Sequence, residues 1–246
     1  MPRAAAWAVA AVALTQSPGA LAYRPFDGTD AAVAGPGEVE VEFGPAGVLT
    51  EGSHHTIIAP AVILNYGIVE NWEVVLQGRG EFPYSPHRGR TTIRDNALLL
   101  KGVVRPGVLQ GQAGPSIATE VGALLPAIHS EERDGVGASL AGIFSQRWSW
   151  FTAHLNLQAA LSNAHEPDYF VSTILEGPFD WTVRPVGEIV YEWDAAAAET
   201  RVSGLAGAIW QAKENLAFDL GVREGRTNSR AVSELRLGFT LAFSPW

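Results

Sequence analysis

Two side chains of one predicted strand, His154 and Asn156, are of the types that could support hydrolytic chemistry. In a serine hydrolase, a histidine takes the proton of a serine hydroxyl and is itself oriented by a third polar group. No serine lies two residues from His154, so the nucleophile would have to come from an adjacent strand, with Ser139 and Ser172 as the candidates. A histidine that is only hydrogen-bonded is far more common, so we expect no catalytic residue and no enzymatic activity.

The other histidines do not form a recognisable metal-binding pattern. His54 and His55 are adjacent, and His129 precedes Glu131 and Glu132, but neither spacing matches a known metal site. The chain has no cysteine, which excludes thiolate ligands and disulfide bonds. It also has no glycine-rich phosphate loop between a strand and a helix, and no metalloprotease helix motif. We therefore expect neither a metal nor a cofactor.

Three glutamates, Glu38, Glu40 and Glu42, form the sharpest local concentration of charge. Their spacing places them on one face of a strand. Such a face is either a solvated wall that attracts cations or a face that arginines of adjacent strands neutralise, and both interpretations stay open. The net charge of −9 argues against nucleic acid as a partner.

The segment that carries His154 shows which element must position these groups. From Phe151 to Leu161, apolar residues alternate with mostly polar ones, with Leu155 and Leu157 on the face opposite to His154. This period of two predicts a β-strand with one apolar and one polar face. Together with similar segments it gives twelve predicted strands, at 37–43, 55–67, 71–83, 95–104, 115–126, 137–147, 149–161, 168–177, 181–193, 201–210, 215–223 and 231–243.

The N-terminus has the features of a secretory signal peptide. Arg3 supplies a positive charge, residues 4–14 form an apolar run too short to span a bilayer, and Ala20-Leu21-Ala22 is a small-residue cleavage site. We predict a signal peptide over residues 1–22 and a polar, periplasmic lead-in over residues 23–36. No other long apolar run follows, so the chain would be released into the periplasm.

Amphipathic strands in an exported chain predict an all-β fold, a transmembrane antiparallel up-and-down β-barrel of about twelve strands over residues 37–246. Longer links, such as 44–54 and 84–94, mostly follow odd strands, as in barrels of the bacterial outer membrane. Segments 95–104 and 201–210 alternate poorly, so ten or fourteen strands remain possible. We expect a monomer in the outer membrane of a Gram-negative bacterium, surrounded by outer-membrane lipid; a soluble periplasmic β-protein is the alternative.

Aromatic residues lie where a membrane-spanning barrel places them. Tryptophans of a soluble core would lie in mid-strand, whereas most of these lie at predicted periplasmic strand ends. The predicted aromatic girdle consists of Trp72, Trp148, Trp150, Trp181, Trp210 and Trp246. The last strand, with Phe239 and Phe243 on one face, resembles the signal that the barrel-assembly machinery recognises, so we expect that machinery as a partner during biogenesis.

The polar faces of the strands would line the barrel interior. The predicted lumen-lining residues, in which acids outnumber bases, are Glu38, Glu40, Glu42, Glu73, Gln77, Arg79, Lys101, Glu120, His154, Asn156, Gln158, Arg184, Glu188, Asp219, Arg223, Glu234 and Arg236. Either they form a narrow aqueous path whose charges bias the passage of small solutes, or opposite charges pair across strands and fill the interior. Arg79, Lys101 and Glu120 could pair in this way, but strand register is not visible in a sequence.

Several motifs resemble the outer-membrane transporter family linked to meta-pathway phenol degradation. The similar segments are 24–31 with 37–42 for its mature N-terminus and first strand, 66–73 for its first periplasmic turn, and 95–101 and 114–126 for later strands. The chain departs from the family in having a single aspartate near residue 30 and in its Ser-Pro-Trp ending. The resemblance implies an outer-membrane barrel that admits small, often aromatic, compounds, and it carries over no catalytic residue.

We therefore expect a channel or facilitator that passes small molecules by passive diffusion, with aromatic or hydrophobic compounds as the solutes that the resemblance suggests. Two alternatives remain. Some twelve-stranded outer-membrane barrels are phospholipases with serine, histidine and asparagine on the lipid-facing wall, and a lipid hydrolase would need a serine within reach of His154 on such a wall. The other alternative is a closed structural barrel with loops that act as contact surfaces.

Overall fold

The computed structural model describes residues 24–84, 90–129 and 135–245. Within these ranges twelve antiparallel strands close into one barrel in sequential order, so the predicted fold class is confirmed. The strands are β1 (Val39–Glu51), β2 (His54–Val69), β3 (Trp72–Pro83), β4 (Thr92–Arg105), β5 (Ser116–Leu124), β6 (Gly137–Arg147), β7 (Thr152–Leu161), β8 (Pro167–Glu176), β9 (Val183–Asp194), β10 (Glu199–Lys213), β11 (Leu216–Thr227) and β12 (Arg230–Phe243). One helical turn, Val108–Gln110, follows β4, and no helix in the described ranges is long and apolar enough to cross a membrane.

Barrel closure depends on the pairing of the first strand with the last. β1 pairs with β2 on one side and with β12 on the other, where Val39 lies opposite Phe243 and Glu51 lies opposite Val232. A closed sheet has no edge strand, so each strand has a hydrogen-bonding neighbour on both sides. Phe243 is therefore held in the wall, next to the beginning of β1.

The two segments with poor alternation are strands whose inner face is partly apolar. On β4, Leu98 is exposed on the outside while the adjacent Leu99 is buried inside. On β10, Leu205 and Ile209 are buried inside. A strand with apolar residues on both faces loses the period of two, even though its pairing is regular.

The strand ends differ from the prediction most at β1. The predicted link 44–54 is largely strand, because β1 continues to Glu51 and the chain turns only at 52–53. The β1–β12 register shifts between Phe43 and Ala46. This bulge accommodates Pro45, which has no N–H to donate to a neighbouring strand.

The predicted contrast between long and short links holds only in part. The links 84–91 and 125–136 after odd strands are long, and the links 70–71 and 214–215 after even strands are short, but other links depart from the prediction. Turns of two residues, 52–53 and 228–229, follow odd strands, whereas the much longer link 106–115 follows an even strand. The reason is that β1, β10 and β11 extend into the segments predicted as outer loops.

The two faces of the wall differ in polarity. Leu157 and Ile189 project outward and are exposed, while His154 and Asn156 on the inner face are buried. Since successive side chains of a strand point to opposite faces, each strand contributes to both surfaces of the barrel. The exterior is therefore largely apolar and the interior is rich in charged and polar groups.

Tryptophans gather at one end of the barrel. Trp72, Trp148, Trp150, Trp181 and Trp210 are exposed there, at or near the ends of even strands and the beginnings of odd strands. Two of them stack on neighbouring phenylalanine rings, with centroid distances of 4.5 Å and 5.5 Å. The sixth tryptophan of the predicted girdle, at position 246, lies outside the described residues.

Residues 24–36 lie inside the barrel, which corrects the predicted periplasmic lead-in over 23–36. Gly28 donates its backbone N–H to Glu188 of β9 at 2.8 Å, and Ala31 donates to Ser145 of β6 at 2.9 Å. Backbone groups shielded from water need partners, and the polar inner wall supplies them. The predicted signal peptide, 1–22, lies outside the described residues.

Candidate functional site

The polar side chains of the strands meet inside the barrel. Most of the predicted lumen-lining residues are buried there, namely Glu38, Glu42, Glu73, Lys101, His154, Asn156, Arg184, Glu188, Asp219, Arg223 and Glu234. Glu40, Gln77, Glu120 and Gln158 line an interior cavity. Arg79 and Arg236 form ion pairs with carboxylates of the same wall. The partners of these charges decide how much of the interior stays open.

A segment of the chain, residues 24–36, occupies part of this interior and is called the inner segment here. Its backbone N–H groups donate to side chains spread around the wall. The bonds run from Ala34 to Glu73 of β3 (2.7 Å), from Ala31 to Ser145 of β6 (2.9 Å), from Thr29 to Asn156 of β7 (3.0 Å) and from Gly28 to Glu188 of β9 (2.8 Å). Because β3, β6, β7 and β9 occur in this order around the barrel, the inner segment runs around the inner wall and not straight through the interior.

Asp27 attaches the inner segment through two arginines. Its carboxylate lies 2.6 Å from Nη1 of Arg236 on β12 and pairs with Arg223 on β11. Arg223 also reaches Glu188 at 3.2 Å. Asp27 therefore separates two cations that would otherwise face each other inside the barrel.

Arg24, at the beginning of the inner segment, contacts both β11 and β1. Its Nε lies 3.6 Å from Asp219 of β11, and its backbone N–H donates to Glu42 of β1 at 3.1 Å. The guanidinium group of Arg24 lies against two glycines of the wall, Gly238 and Gly44. A Cβ atom at either position would overlap the guanidinium group. These glycines make room for the chain to lie flat on the wall.

Phe26 is the apolar anchor of the inner segment. Its ring belongs to a buried cluster with Ile174, Val186, Leu205, Ile209 and Ala217 on β8–β11. Burial of a phenylalanine contributes about 1.5–3 kcal/mol. The partly apolar inner face of β10 thus has a function that the sequence did not show, since it receives Phe26.

Lys101 links the inner segment to the acidic wall. Its Nζ lies 3.3 Å from Glu73 and 4.0 Å from Asp30, and it donates to the hydroxyl of Thr29 at 3.2 Å. Lys101 also stands opposite Glu120 in the β4–β5 register. Burial raises the pKa of Asp30 to about 6, because desolvation outweighs the attraction to Lys101. Opposite charges therefore meet across β3, β4 and β5, as one of the two interpretations requires.

Arg79 belongs to a different group, farther along the barrel. It pairs with Glu81 and with Asp95, each at 2.9 Å. On the other side of the barrel, Arg201 pairs with Glu192 at 3.2 Å. These side chains are partly exposed, so such pairs contribute little to stability. Within these pairs the opposite charges compensate each other locally.

Ser145, His154 and Glu176 are arranged like a catalytic triad. The Ser145 hydroxyl oxygen lies 2.8 Å from His154 Nδ1, and His154 Nε2 lies 3.2 Å from Glu176. Ser145 is nevertheless only 1% exposed, because the inner segment covers it and Ala31 donates its N–H to the same oxygen. The Ser145 oxygen thus accepts the N–H of Ala31 on one side and contacts Nδ1 of His154 on the other. The arrangement supports the inner segment rather than an exposed nucleophile.

The serine next to His154 is thus neither of the two predicted candidates. Ser172 stands opposite Asn156 in the β7–β8 register, and Ser139 lines the interior cavity. Ser145 stands directly opposite His154 on β6. Only the register reveals this pair, since the two residues lie on different strands.

A cavity of about 200 Å³ remains between the inner segment and the inner face of β1–β8. Six acidic residues line it, and Lys101 is the one cationic residue among its described lining residues. The acidic residues are Asp27, Glu38, Glu40, Glu42, Glu73 and Glu120. Apolar side chains complete the wall, among them Phe26, Ile63, Val75, Leu99 and Phe170. This cavity therefore lies off-centre, on the acidic side of the barrel.

Comparison with known proteins shows a shared fold without a shared sequence. No protein-family model matches the chain, and no curated protein matches it. An outer membrane channel from Pseudomonas putida F1 is similar in structure, with a TM-score of 0.64 at 9% identity over 87% of this chain and 97% of that chain. The KdgM porin has a TM-score of 0.55 at 7% identity over 83% and 99% of the two chains. The CymD monoaromatic hydrocarbon channel has a TM-score of 0.50 at 10% identity over 87% and 89%. The chain thus has a β-barrel fold that also occurs in outer-membrane channels.

Asp27→Asn should loosen the inner segment. The substitution keeps the side-chain shape but removes the carboxylate that Arg223 and Arg236 share, and a hydrogen bond to a charged group contributes about 1.5–3 kcal/mol. Because the natural chain has no cysteine, Ala31→Cys places one thiol at a fully buried position of the inner segment. We expect a water-soluble maleimide to label this thiol roughly tenfold faster, or more, when Asp27→Asn is also present.

The control for this measurement is Asp180→Asn, in an exposed turn between β8 and β9. It should label at the rate of the parent that carries Ala31→Cys alone. Equal rates in all three proteins would show that Asp27 does not hold the inner segment in place.

Proposed function

We propose that this protein is a monomeric channel of the Gram-negative outer membrane that passes small molecules by passive diffusion. The observation that carries the proposal is a closed barrel with an apolar exterior and a charged interior that still contains a cavity. The signal peptide predicted over residues 1–22 would direct export, with cleavage after Ala22. The barrel-assembly machinery would then insert the chain into outer-membrane lipid.

The exterior of the barrel supports a membrane location. Large apolar residues such as Val183, Ile189 and Leu220 are about half exposed or more, as are many others around the wall. Soluble proteins rarely expose contiguous apolar patches above a few hundred Å², whereas a wall in lipid must be apolar. Exposed tryptophans at one rim, such as Trp150 and Trp181, suit the headgroup level of a bilayer.

Ile189→Arg should destabilise the barrel in lipid. Ile189 is 68% exposed near the middle of β9, so an arginine there would lie near the centre of the bilayer, where it costs about 2–4 kcal/mol. The measurement is the free energy of unfolding by guanidinium chloride in phosphatidylcholine vesicles. Ala197→Arg, in the exposed turn after β9, is the matched control and should stay within about 0.5 kcal/mol of wild type. An equal effect of the two substitutions would contradict a lipid-facing β9.

Small aromatic or hydrophobic compounds are the solutes that we propose. The resemblance of the sequence to a transporter family linked to phenol degradation supports this class. Phe26 and Phe170 supply aromatic surface to the cavity. The solved structures of similar fold include a monoaromatic hydrocarbon channel, which is consistent with the same class.

Removal of the inner segment should raise the conductance of the channel. A mature chain that begins at Gly37 loses the contacts to β3, β6, β7 and β9, and its interior gains the volume that the segment occupied. We expect a severalfold larger single-channel conductance in a planar bilayer than for the chain that begins at Tyr23. Phe26→Ala, which removes only the apolar anchor, should give an intermediate value or frequent switching between two levels.

Two outcomes of this measurement would contradict the proposal. Equal conductance with and without the inner segment would show that the segment lies outside the path of ions. Silent bilayers for both chains, with insertion confirmed by heat-modifiable mobility on gels, would favour the closed structural barrel over a channel.

A lipid hydrolase on the same barrel is the alternative function, and the Ser145–His154–Glu176 arrangement is the observation in its favour. Ser145 faces the inner segment, however, and not the surrounding lipid. A fluorophosphonate, which reacts with activated serine hydroxyls, should therefore leave the wild-type protein unlabelled in detergent and in lipid vesicles. Labelling of the wild type that is lost in Ser145→Ala would instead establish an active serine.

A further inference from the structure

One residue that lines the interior cavity has a buried carboxylate oxygen without a donor. Glu38 is 7% exposed, and its Oε2 accepts the backbone N–H of Gly35 at 2.9 Å. Its Oε1 has no hydrogen-bond partner in the described part of the chain, and the side chain lines the cavity. A buried charged oxygen without a donor is costly, so a ligand that brings an N–H into the cavity would gain binding energy at this atom.

The neighbouring wall shows the same surplus of acceptors. Glu40 and Glu42 each place Oε1 near the same nitrogen, Nδ2 of Asn65, at 3.3 Å and 3.2 Å. Lys101 is already in contact with Glu73 at 3.3 Å. Two carboxylates that share the two N–H donors of one amide group can accept further hydrogen bonds, because each ionised carboxylate offers about four acceptor sites.

The rest of the cavity wall requires an apolar ligand body. Ile63, Val75 and Leu99 line it from β2, β3 and β4, and Phe26 and Phe170 add aromatic surface. Its volume of about 200 Å³ is below the range of about 300–1,000 Å³ that is usual for drug-sized ligands. The matching ligand is therefore small, carries a positively charged donor and has an apolar remainder.

We propose that this cavity binds a small organic cation, a protonated primary amine with an apolar body, whose ammonium group donates a hydrogen bond to Oε1 of Glu38. The inference names a solute class for the channel proposed above and rests on that proposal for its role in transport. An ammonium group has three donors, so it can reach Glu38 and still serve two other acceptors of the wall. A ligand of the same shape with a carboxylate in place of the ammonium group would add a negative charge to an acidic site. A ligand with a hydroxyl group would supply only one donor and no charge.

Calorimetric titration of the full mature barrel in detergent micelles tests this site. The probe is 2-phenylethylammonium, and 2-phenylethanol and 3-phenylpropionate are the neutral and anionic probes of similar shape. We expect saturable binding of the ammonium compound and at least roughly tenfold weaker binding of the other two. Glu38→Gln should weaken ammonium binding roughly ten- to a hundredfold, because a charged acceptor is lost. Glu214→Gln, in the exposed turn between β10 and β11, is the matched control and should leave the affinity unchanged.

A second variant separates a loss of ligand binding from a loss of folding. Heat-modifiable mobility shows whether Glu38→Gln forms a barrel, and Glu40→Gln removes a charge from the same cavity without touching the contact to Gly35. Equal affinity for the ammonium compound and the alcohol would overturn the inference. An ammonium affinity that is unchanged in both Glu38→Gln and Glu40→Gln would overturn it as well.

Conductance measured on the same preparations separates this inference from the proposed function. A barrel that conducts but does not prefer the ammonium probe would overturn the solute class and leave the channel proposal intact. A barrel that binds the ammonium probe but does not conduct would support the site and overturn the channel proposal.

Discussion

The pairing of β1 with β12 is the constraint on which the rest of the structure depends. Because it removes the last free edge of the sheet, the wall can face an apolar surrounding without exposed backbone groups. Closure also separates the inner side chains from the solvent outside. A charge on the inner face must then be compensated by groups within the barrel, because an unpaired buried charge destabilises the fold.

The inner segment supplies many of those partners. A carboxylate such as Glu188 receives two backbone N–H groups from it, at 2.8 Å and 2.9 Å, and Arg223 and Arg236 share its Asp27. A segment without regular secondary structure is therefore ordered by the wall, and the wall charges are in turn compensated by the segment. Phe26 adds an apolar contact that attaches the first residues of the segment to β8–β11.

This arrangement makes the interior asymmetric. The side formed by β8–β12 is occupied by Phe26 and by the arginine pairs of Asp27, whereas an acidic cavity remains next to β1–β8. At the level of the inner segment, a solute that crosses the barrel would therefore meet Glu38 and its neighbours rather than Arg223 and Arg236. Both interpretations of the inner charges hold in part, because many of the charges pair across strands while carboxylates such as Glu38 and Glu40 still line open space.

The sequence by itself determined the strands and their faces, because the alternation of side chains is a local property of an extended backbone. It therefore predicted a closed barrel and the inward positions of residues such as His154. It did not show that β1 continues past Pro45, since the bulge there depends on the neighbouring strand. Only the tertiary structure decided the partners across strands, such as Ser145 with His154, because register joins residues from separate parts of the chain. The place of the inner segment was decided in the same way, since the acceptors of its backbone N–H groups come from five strands that no local pattern brings together.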